Sequence, residues 1–306
     1  MTDQGLAARV GSRVVGRRRE IELLVAALDA GRHVVLEGPP GTGKSTMLRA
    51  VAGELGLGFE FVEGNAELTP ARLVGQFDPA QVIANGYDPE GFVDGPLVTA
   101  LRAGSLLYVE EINRVPEETL NVLITVMSEG ELHVPRVGRV QAAPGFRLVA
   151  AMNPFDAVGT ARISGAVYDR VCRLALGYQD AADETAIVGE ALPAADVDGA
   201  WLAKVVEVVR RTRTHPDVRV GSSVRGAIDT SAVALSLAAM RGQAVDAELG
   251  LDAASVALSG RIRVRDGASR TAEEIIAELW WQVFERPPVA EGDPGKATAP
   301  VGAPTP

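Results

Sequence analysis

The 306 residues are enough for two domains of ordinary size, and a 47% hydrophobic fraction supports a buried core. Forty acidic against 30 basic side chains leave a net charge of −10, which excludes the uniformly basic surface of an indiscriminate nucleic-acid binder. The single cysteine, Cys172, excludes an internal disulfide, no apolar leader opens the chain, and apolar stretches such as 232–240 fall short of the roughly 20 residues of a membrane span, so the cytoplasm is the expected compartment.

In chain order, short apolar runs at His33–Glu37, Phe59–Glu63, Leu106–Glu110, 146–151 and 171–176 read as buried parallel strands. Helical periodicity at Lys44–Leu55, Pro96–Ala103 and Glu117–Glu129 falls between them, and this alternation predicts an α/β fold with a parallel β-sheet core covered on both faces. Two stretches fit neither pattern cleanly: 75–93, and 131–144, which alternates like a hairpin around Val137-Gly138. After about residue 179 the strand signals thin out. Helical spacing at 201–211, 223–240 and Ala272–Phe284 predicts a smaller, mostly helical second domain over 180–286, with a boundary near 178–183. Residues 287–306 hold six of the 18 prolines and read as a Pro-rich tail too poor in apolar side chains to fold alone.

The strongest chemical signal is Gly38-Pro39-Pro40-Gly41-Thr42-Gly43-Lys44-Ser45, followed by Thr46, which lies between a predicted strand and a predicted helix as a phosphate-binding loop requires. Gly41 and Gly43 let backbone N–H groups turn inward around phosphates. The helix N-terminus adds positive potential, Lys44 is suited to the β/γ oxygens, and Ser45 to Mg²⁺. Only Lys44, Lys204 and Lys296 are lysines, so few positions are open to such a motif.

A metal-organising acid is expected at the end of a neighbouring strand, and Leu106–Glu110 ends in the pair Glu110-Glu111. Glu110 is assigned to Mg²⁺ and Glu111 to polarising the water that attacks the γ-phosphate. Aspartate is the usual first acid, and the extra methylene of Glu110 is expected to fit an octahedral Mg²⁺ site poorly. Asn153, after the fourth strand, is placed to hold the attacking water or contact the γ-phosphate, although Asn-Pro is also an ordinary turn opener.

Together these residues resemble the MoxR group of AAA+ ATPases over roughly residues 14–264. Val15-Gly16-Arg17 with Glu20-Ile21 resembles the group's opening segment near the adenine, which makes Val15 and Gly16 nucleotide-binding candidates beside the loop. Phe92-x-x-Gly95-Pro96-Leu97 resembles the approach to the acidic strand, Glu111-Ile112-Asn113-Arg114 the extension of Walker B, and 153–160 the sensor 1 region. Ser222-Ser223-Val224-Arg225-Gly226 resembles sensor 2, and Met240-Arg241-Gly242 with Arg261-Ile262 the end of a helical lid.

The resemblance implies ATP as substrate, Mg²⁺ as cofactor and a ring of identical subunits, usually six. Residues 166–170 resemble the segment that carries the arginine finger, which selects Arg170, with Arg162 and Arg173 as rivals; Arg225 is assigned to the phosphates when the lid closes. The resemblance also implies a protein client, a partner with a von Willebrand factor A domain, and a pore- or client-facing role for 75–93 and 131–144.

The arginine runs 17–19, 210–213 and 261–265 are read as solvated or subunit-contact faces, and no aromatic interleaving points to stacked bases. A GTPase would carry Asn/Thr-Lys-x-Asp, which neither Lys204 nor Lys296 supplies. A small-molecule kinase needs no sensor pair, whereas a nucleic-acid motor on the same scaffold stays open as the alternative.

Overall fold

The computed structural model describes residues 4–154, 165–192 and 198–285. Five parallel strands form one sheet in the order Phe59–Glu63, Leu106–Glu110, Arg147–Met152, His33–Glu37, Val171–Ala175. Alternation along each central strand sends successive side chains to opposite faces. Leu106, Tyr108, Val34, Leu36, Val149 and Ala151 enter one apolar layer with helices Arg18–Asp29 and Lys44–Leu55. Leu107, Val109, Val35, Leu148 and Ala150 enter a second layer with Pro96–Ala103 and Glu117–Glu129. Each fully buried Leu or Val in these layers stabilises the fold by about 1.5–3 kcal/mol.

The predicted strands and helices are present with end shifts of one or two residues: the fourth strand runs one residue later than 146–151, and the fifth ends at Ala175. Because the strands are parallel, Glu37, Glu63, Glu110, Met152 and Ala175 all finish at one edge of the sheet. Every loop that leaves this edge starts within reach of its neighbours.

Residues 75–93, which the sequence leaves without a regular element, are ordered into strand Gly75–Phe77, helix Pro79–Asn85, a 3₁₀ turn Pro89–Gly91 and the returning strand Phe92–Asp94. The local signal in the sequence is an N-cap followed by proline, at Asp78-Pro79 and Asp88-Pro89 within the stretch and at Thr69-Pro70 just before it. In each the capping side chain accepts a backbone N–H. The stretch 131–144 forms the expected hairpin, pairing Glu131–Val134 with Gly138–Gln141.

Five helices, Ala181–Ala191, Gly199–Thr212, Val224–Arg241, Ala247–Leu258 and Ala272–Phe284, pack on a core of their own. Trp280 sits at its centre, stacked on Phe284 with ring centroids 4.1 Å apart and donating its indole N–H to Ala247 O at 2.9 Å. A short antiparallel ribbon, Val218–Val220 with Arg263–Val264, adds strand to this otherwise helical region. Its two and three residues are too few for periodicity to mark.

The arginine runs correct the sequence reading. Arg18 and Arg19 are exposed as expected, but Arg17 is only 4% exposed, because its guanidinium reaches inward to Thr42 O (3.1 Å), Gly177 O (2.7 Å) and Glu20 (2.9 Å). Arg210 and Arg213 likewise turn inward to the buried carboxylate of Glu184, at 3.1 and 2.8 Å. Arg261 stays near the surface, paired with Asp229.

Candidate nucleotide site

The loop after strand His33–Glu37 is shaped by its glycines. Gly41 and Gly43 hold φ of +74° and +78°, the left-handed region that an L side chain resists. At Gly38 a Cβ would lie 2.3 Å from Leu176 O, so the fifth strand closes against the start of the loop. Thr42 is buried and donates to Pro39 O at 2.9 Å, and Arg17 ties Thr42 O to the end of the fifth strand. Pro40 and the exposed Thr46 complete the segment.

Lys44 is folded back on this loop, donating to Gly38 O at 2.8 Å and Pro39 O at 2.9 Å. Burial pulls its ammonium down to about 8; Glu110 and Glu111 pull the other way, and Arg225 and Arg17 deepen the depression. Arg225, at the start of helix Val224–Arg241, therefore shares an electrostatic environment with Lys44. Ser223, at the N-cap position of the same helix, lies so close that a Cβ on Gly41 would meet its Oγ at 2.3 Å.

Ser45 donates to Glu110 Oε1 at 3.0 Å, and Ser45 Oγ also lies 3.0 Å from the Tyr108 hydroxyl. The Glu110 carboxylate thus reaches Ser45 Oγ, and the two are the residues that the sequence assigns to Mg²⁺. Among the described residues no group of three or more His, Cys, Asp or Glu side chains forms a metal site by itself. A hydroxyl beside one carboxylate suits Mg²⁺, which takes one or two protein ligands and fills the rest with phosphate and water. Tyr108 was not singled out in the sequence, although its position two residues before Glu110 puts both on the same face of the strand. Burial pushes its phenol well above the ordinary value, so it stays protonated.

Glu111 adopts φ 51°, ψ 43°, an uncommon backbone for a non-glycine residue, and pairs with Arg114 at 2.9 Å. Gly64 makes this turn possible: its N–H donates to Glu110 O at 2.7 Å, and a Cβ there would lie 2.5 Å from Glu111 O. Asn153 follows Met152, which is the register partner of Glu37, so it leaves the sheet beside the loop. At the opening segment, Gln179 donates to Val15 O at the point where the lid begins. Gly16 (φ +70°) lies against the Asp183 carboxylate.

Arg170 is not in this cluster. Its guanidinium donates to Ala166 O at 2.7 Å and to Ser128 Oγ, at the end of helix Glu117–Glu129. Arg173 is committed within its own subunit to Glu37, at 2.6 Å, and Arg162 lies outside the described residues. Gly159 and Thr160 of the sensor 1 region, and the tail 287–306, also lie outside them.

A second feature lies between the two stretches that the sequence leaves irregular, which resemble inserts in the nucleotide-binding domain: residues 70–92 and hairpin 131–141 enclose an apolar groove of about 790 Å³. Val74, Phe77, Leu132 and Val134 line it, Ile83 stands 87% exposed at its rim, and Arg136 covers the Tyr87 ring at 3.7 Å.

A parallel sheet with a phosphate loop, an acidic strand end and a helical lid defines a P-loop nucleoside triphosphatase. The family description "AAA domain (dynein-related subfamily)" matches residues 33–171. The chain is 31% identical over 251 residues to the uncharacterized protein YeaC of Bacillus subtilis, covering 73% of this chain and 75% of that one. It is 30% identical over 211 residues to the gas vesicle ATPase GvpN of Haloferax mediterranei, covering 64% of this chain but 60% of the length of that relative. The Holliday junction branch migration motor RuvB of Thermotoga maritima shares the fold, with TM-score 0.56 at 19% identity over 83% of this chain and 73% of that one. The chain belongs to the AAA+ ATPases, as its resemblance to the MoxR group implies.

Two predictions follow from the geometry around Lys44 and Ser45. With the free ammonium near 8, bound phosphates favour its charged form, so ATP binding above that pH must take up a proton. Affinity should hold below about pH 8 and fall by up to about tenfold per unit above it. Calorimetry at pH 9 in buffers of different ionisation enthalpy reads the proton directly, and the absence of uptake would remove Lys44 from the phosphates. Glu110→Asp withdraws the carboxylate from Ser45, and the Mg²⁺ concentration for half-maximal ATPase should rise about tenfold, the scale of lost metal-orienting contacts. An unchanged requirement in that titration would take Glu110 out of the metal site.

Proposed function

We propose that this chain is a MoxR-type AAA+ ATPase that uses Mg²⁺-dependent ATP hydrolysis to remodel or mature a protein client. The observation that carries the reading is the apolar groove between the two inserts, with Ile83 and Tyr87 exposed at its edge. An exposed apolar groove on an ATPase fits an unfolded or partly folded polypeptide, whereas nucleic acid calls for cations and stacking platforms.

In this reading Lys44 leaves the Gly38 and Pro39 carbonyls for the β/γ-phosphates, and Val15 and Gly16 lie by the base. Ser45 and Glu110 would hold Mg²⁺, which when bound would offset charge on the phosphate oxygens. Glu111 takes the proton of the attacking water, Asn153 orients that water, and Arg225 follows the phosphates as the lid moves. Arg170 is the arginine finger and acts on the neighbour's nucleotide, which calls for a homo-oligomer; a hexameric ring is the expected form. Its bonds to Ala166 and Ser128, rather than to its own phosphate loop, support that role, as does the commitment of Arg173 to Glu37. The reading divides the chain into a nucleotide-binding domain over 1–179 and a lid over 180–286. It also places the protein in the cytoplasm with a von Willebrand factor A domain partner; no described helix is long and apolar enough to cross a membrane.

Finger and pocket can be separated by mixing. Arg170→Ala subunits should bind ATP yet turn over about 10³-fold or more slowly, and Lys44→Ala subunits should fail to bind it. Their mixture should regain ATPase activity, since some junctions then join an intact pocket to an intact finger. Near-normal turnover by assembled Arg170→Ala would move the finger elsewhere.

The client is tested with Glu111→Gln, which should keep ATP bound and unhydrolysed. A pull-down on this background should retain a protein after nuclease treatment and lose it when Ile83→Asp is added. Retention that depends on DNA or RNA would favour the nucleic-acid motor.

A further inference from the structure

Glu37 is the last residue of the strand that leads into the phosphate loop, it is 4% exposed, and no step described so far uses it. A buried carboxylate needs partners. Among the described residues Glu37 has two: the Tyr168 hydroxyl, from the finger segment, donates to Oε1 at 2.6 Å, and Arg173 Nε, from the strand that follows it, donates to Oε2 at 2.6 Å. Tyr168 Oη also touches Met152 Sδ at 3.6 Å, immediately before Asn153. Glu37 and Met152 are register partners, and Gly38 N donates to Met152 O at 3.2 Å, so this cluster lies directly behind the phosphate loop and the Asn153 turn.

Tyr168 ends the four-residue helix Gly165–Tyr168, two residues before Arg170. One turn of helix has no stability of its own and takes its position from the contacts it makes. Here Val167 is buried in the sheet's core, the Tyr168 hydroxyl is held by Glu37, and Arg170 N then donates to Val167 O at 3.0 Å, which fixes where the arginine leaves the chain. A finger must be placed finely, since a displacement near 1 Å costs about 10²-fold in rate. A backbone shift at Gly38 or Asn153 in one subunit would move Glu37 and, through Tyr168, the arginine directed at the next subunit.

We propose that Glu37, acting through the Tyr168 hydroxyl, is a positioning residue for Arg170 that links the phosphate loop of one subunit to the finger it offers its neighbour. The proposal rests on the reading of Arg170 as the finger.

The test is Tyr168→Phe in the full-length assembled protein, because it removes one hydroxyl and keeps the ring. Expected are an unchanged KM and nucleotide affinity within twofold, a kcat lower by about 10²-fold, and recovery of activity on mixing with Lys44→Ala subunits. Glu37→Gln keeps an acceptor for the hydroxyl while weakening the hold on Arg173, and should show a smaller kcat loss, about tenfold, with the same recovery. A Tyr168→Phe enzyme with wild-type kcat overturns the proposal. So does a loss that Lys44→Ala subunits fail to complement, because the defect would then lie in the variant's own pocket. If Arg170→Ala itself keeps turnover, the finger reading fails first. If Arg170→Ala is inactive and complemented while Tyr168→Phe is fully active, only the link through Glu37 fails.

Discussion

The parallel arrangement of five strands is the constraint on which the site depends. Parallel strands cannot be joined by tight hairpins, so each is followed by a crossover, and all of them end on one edge with their last residues side by side. That is why Glu37, Glu110 and Met152, which lie far apart in the chain, finish next to one another, and why the loop glycines, the Glu111 turn and Asn153 emerge together. It also limits what each position accepts. Gly64 has no room for a Cβ beside Glu111 O, and Gly38 none beside Leu176 O, because neighbouring strand ends run on into loops at van der Waals distance.

How much of this was legible in the sequence depended on whether the information was local. Lys44, Ser45, Glu110 and Glu111 announce themselves because a phosphate loop and an acidic strand end are contiguous patterns with fixed flanking elements, and the two-layer core follows from continuous apolar strands. Arg17 did not announce itself. Its partners Thr42 and Gly177 are distant in sequence, and a run of three arginines reads as solvated unless those partners are known. Glu37 and Tyr168 were hidden for the same reason, since the bond between them spans 131 positions. The insert at 75–93 is a different case: the Asp-Pro caps were present, and the overall apolar periodicity was too short to draw attention to them.

The two stretches 75–93 and 131–144 are held by polar detail as well as by apolar packing. Thr119, buried on helix Glu117–Glu129, donates to Leu68 O at 2.6 Å and so ties the approach of the first insert to the helix that runs into the hairpin. The aromatic cluster of Phe77, Phe92 and Tyr87 stiffens the first insert from within, with edge-on ring pairs at 5.2 and 5.3 Å. A groove whose two walls are fixed in this way presents its apolar side chains in a defined arrangement.

The lid is attached through buried charge. Glu184 is 2% exposed and faces both Arg210 and Arg213. Arg210 also caps Gln179 O, while Arg213 stacks on Tyr178 at 3.8 Å and donates to Ser222 O. Removing Glu184 would strand the buried Arg213 guanidinium and cost about 3–5 kcal/mol, far more than loss of an exposed pair. The cluster therefore joins Tyr178–Gln179, just before the helical region, to the turn that opens helix Val224–Arg241. Ser223 and Arg225 are carried at the start of that helix, so the same packing sets where they meet Gly41 and Lys44. Arg225 therefore takes its place near Lys44 from two sources, the apolar core around Trp280 and the Glu184 cluster, and its position is a property of the whole helical region.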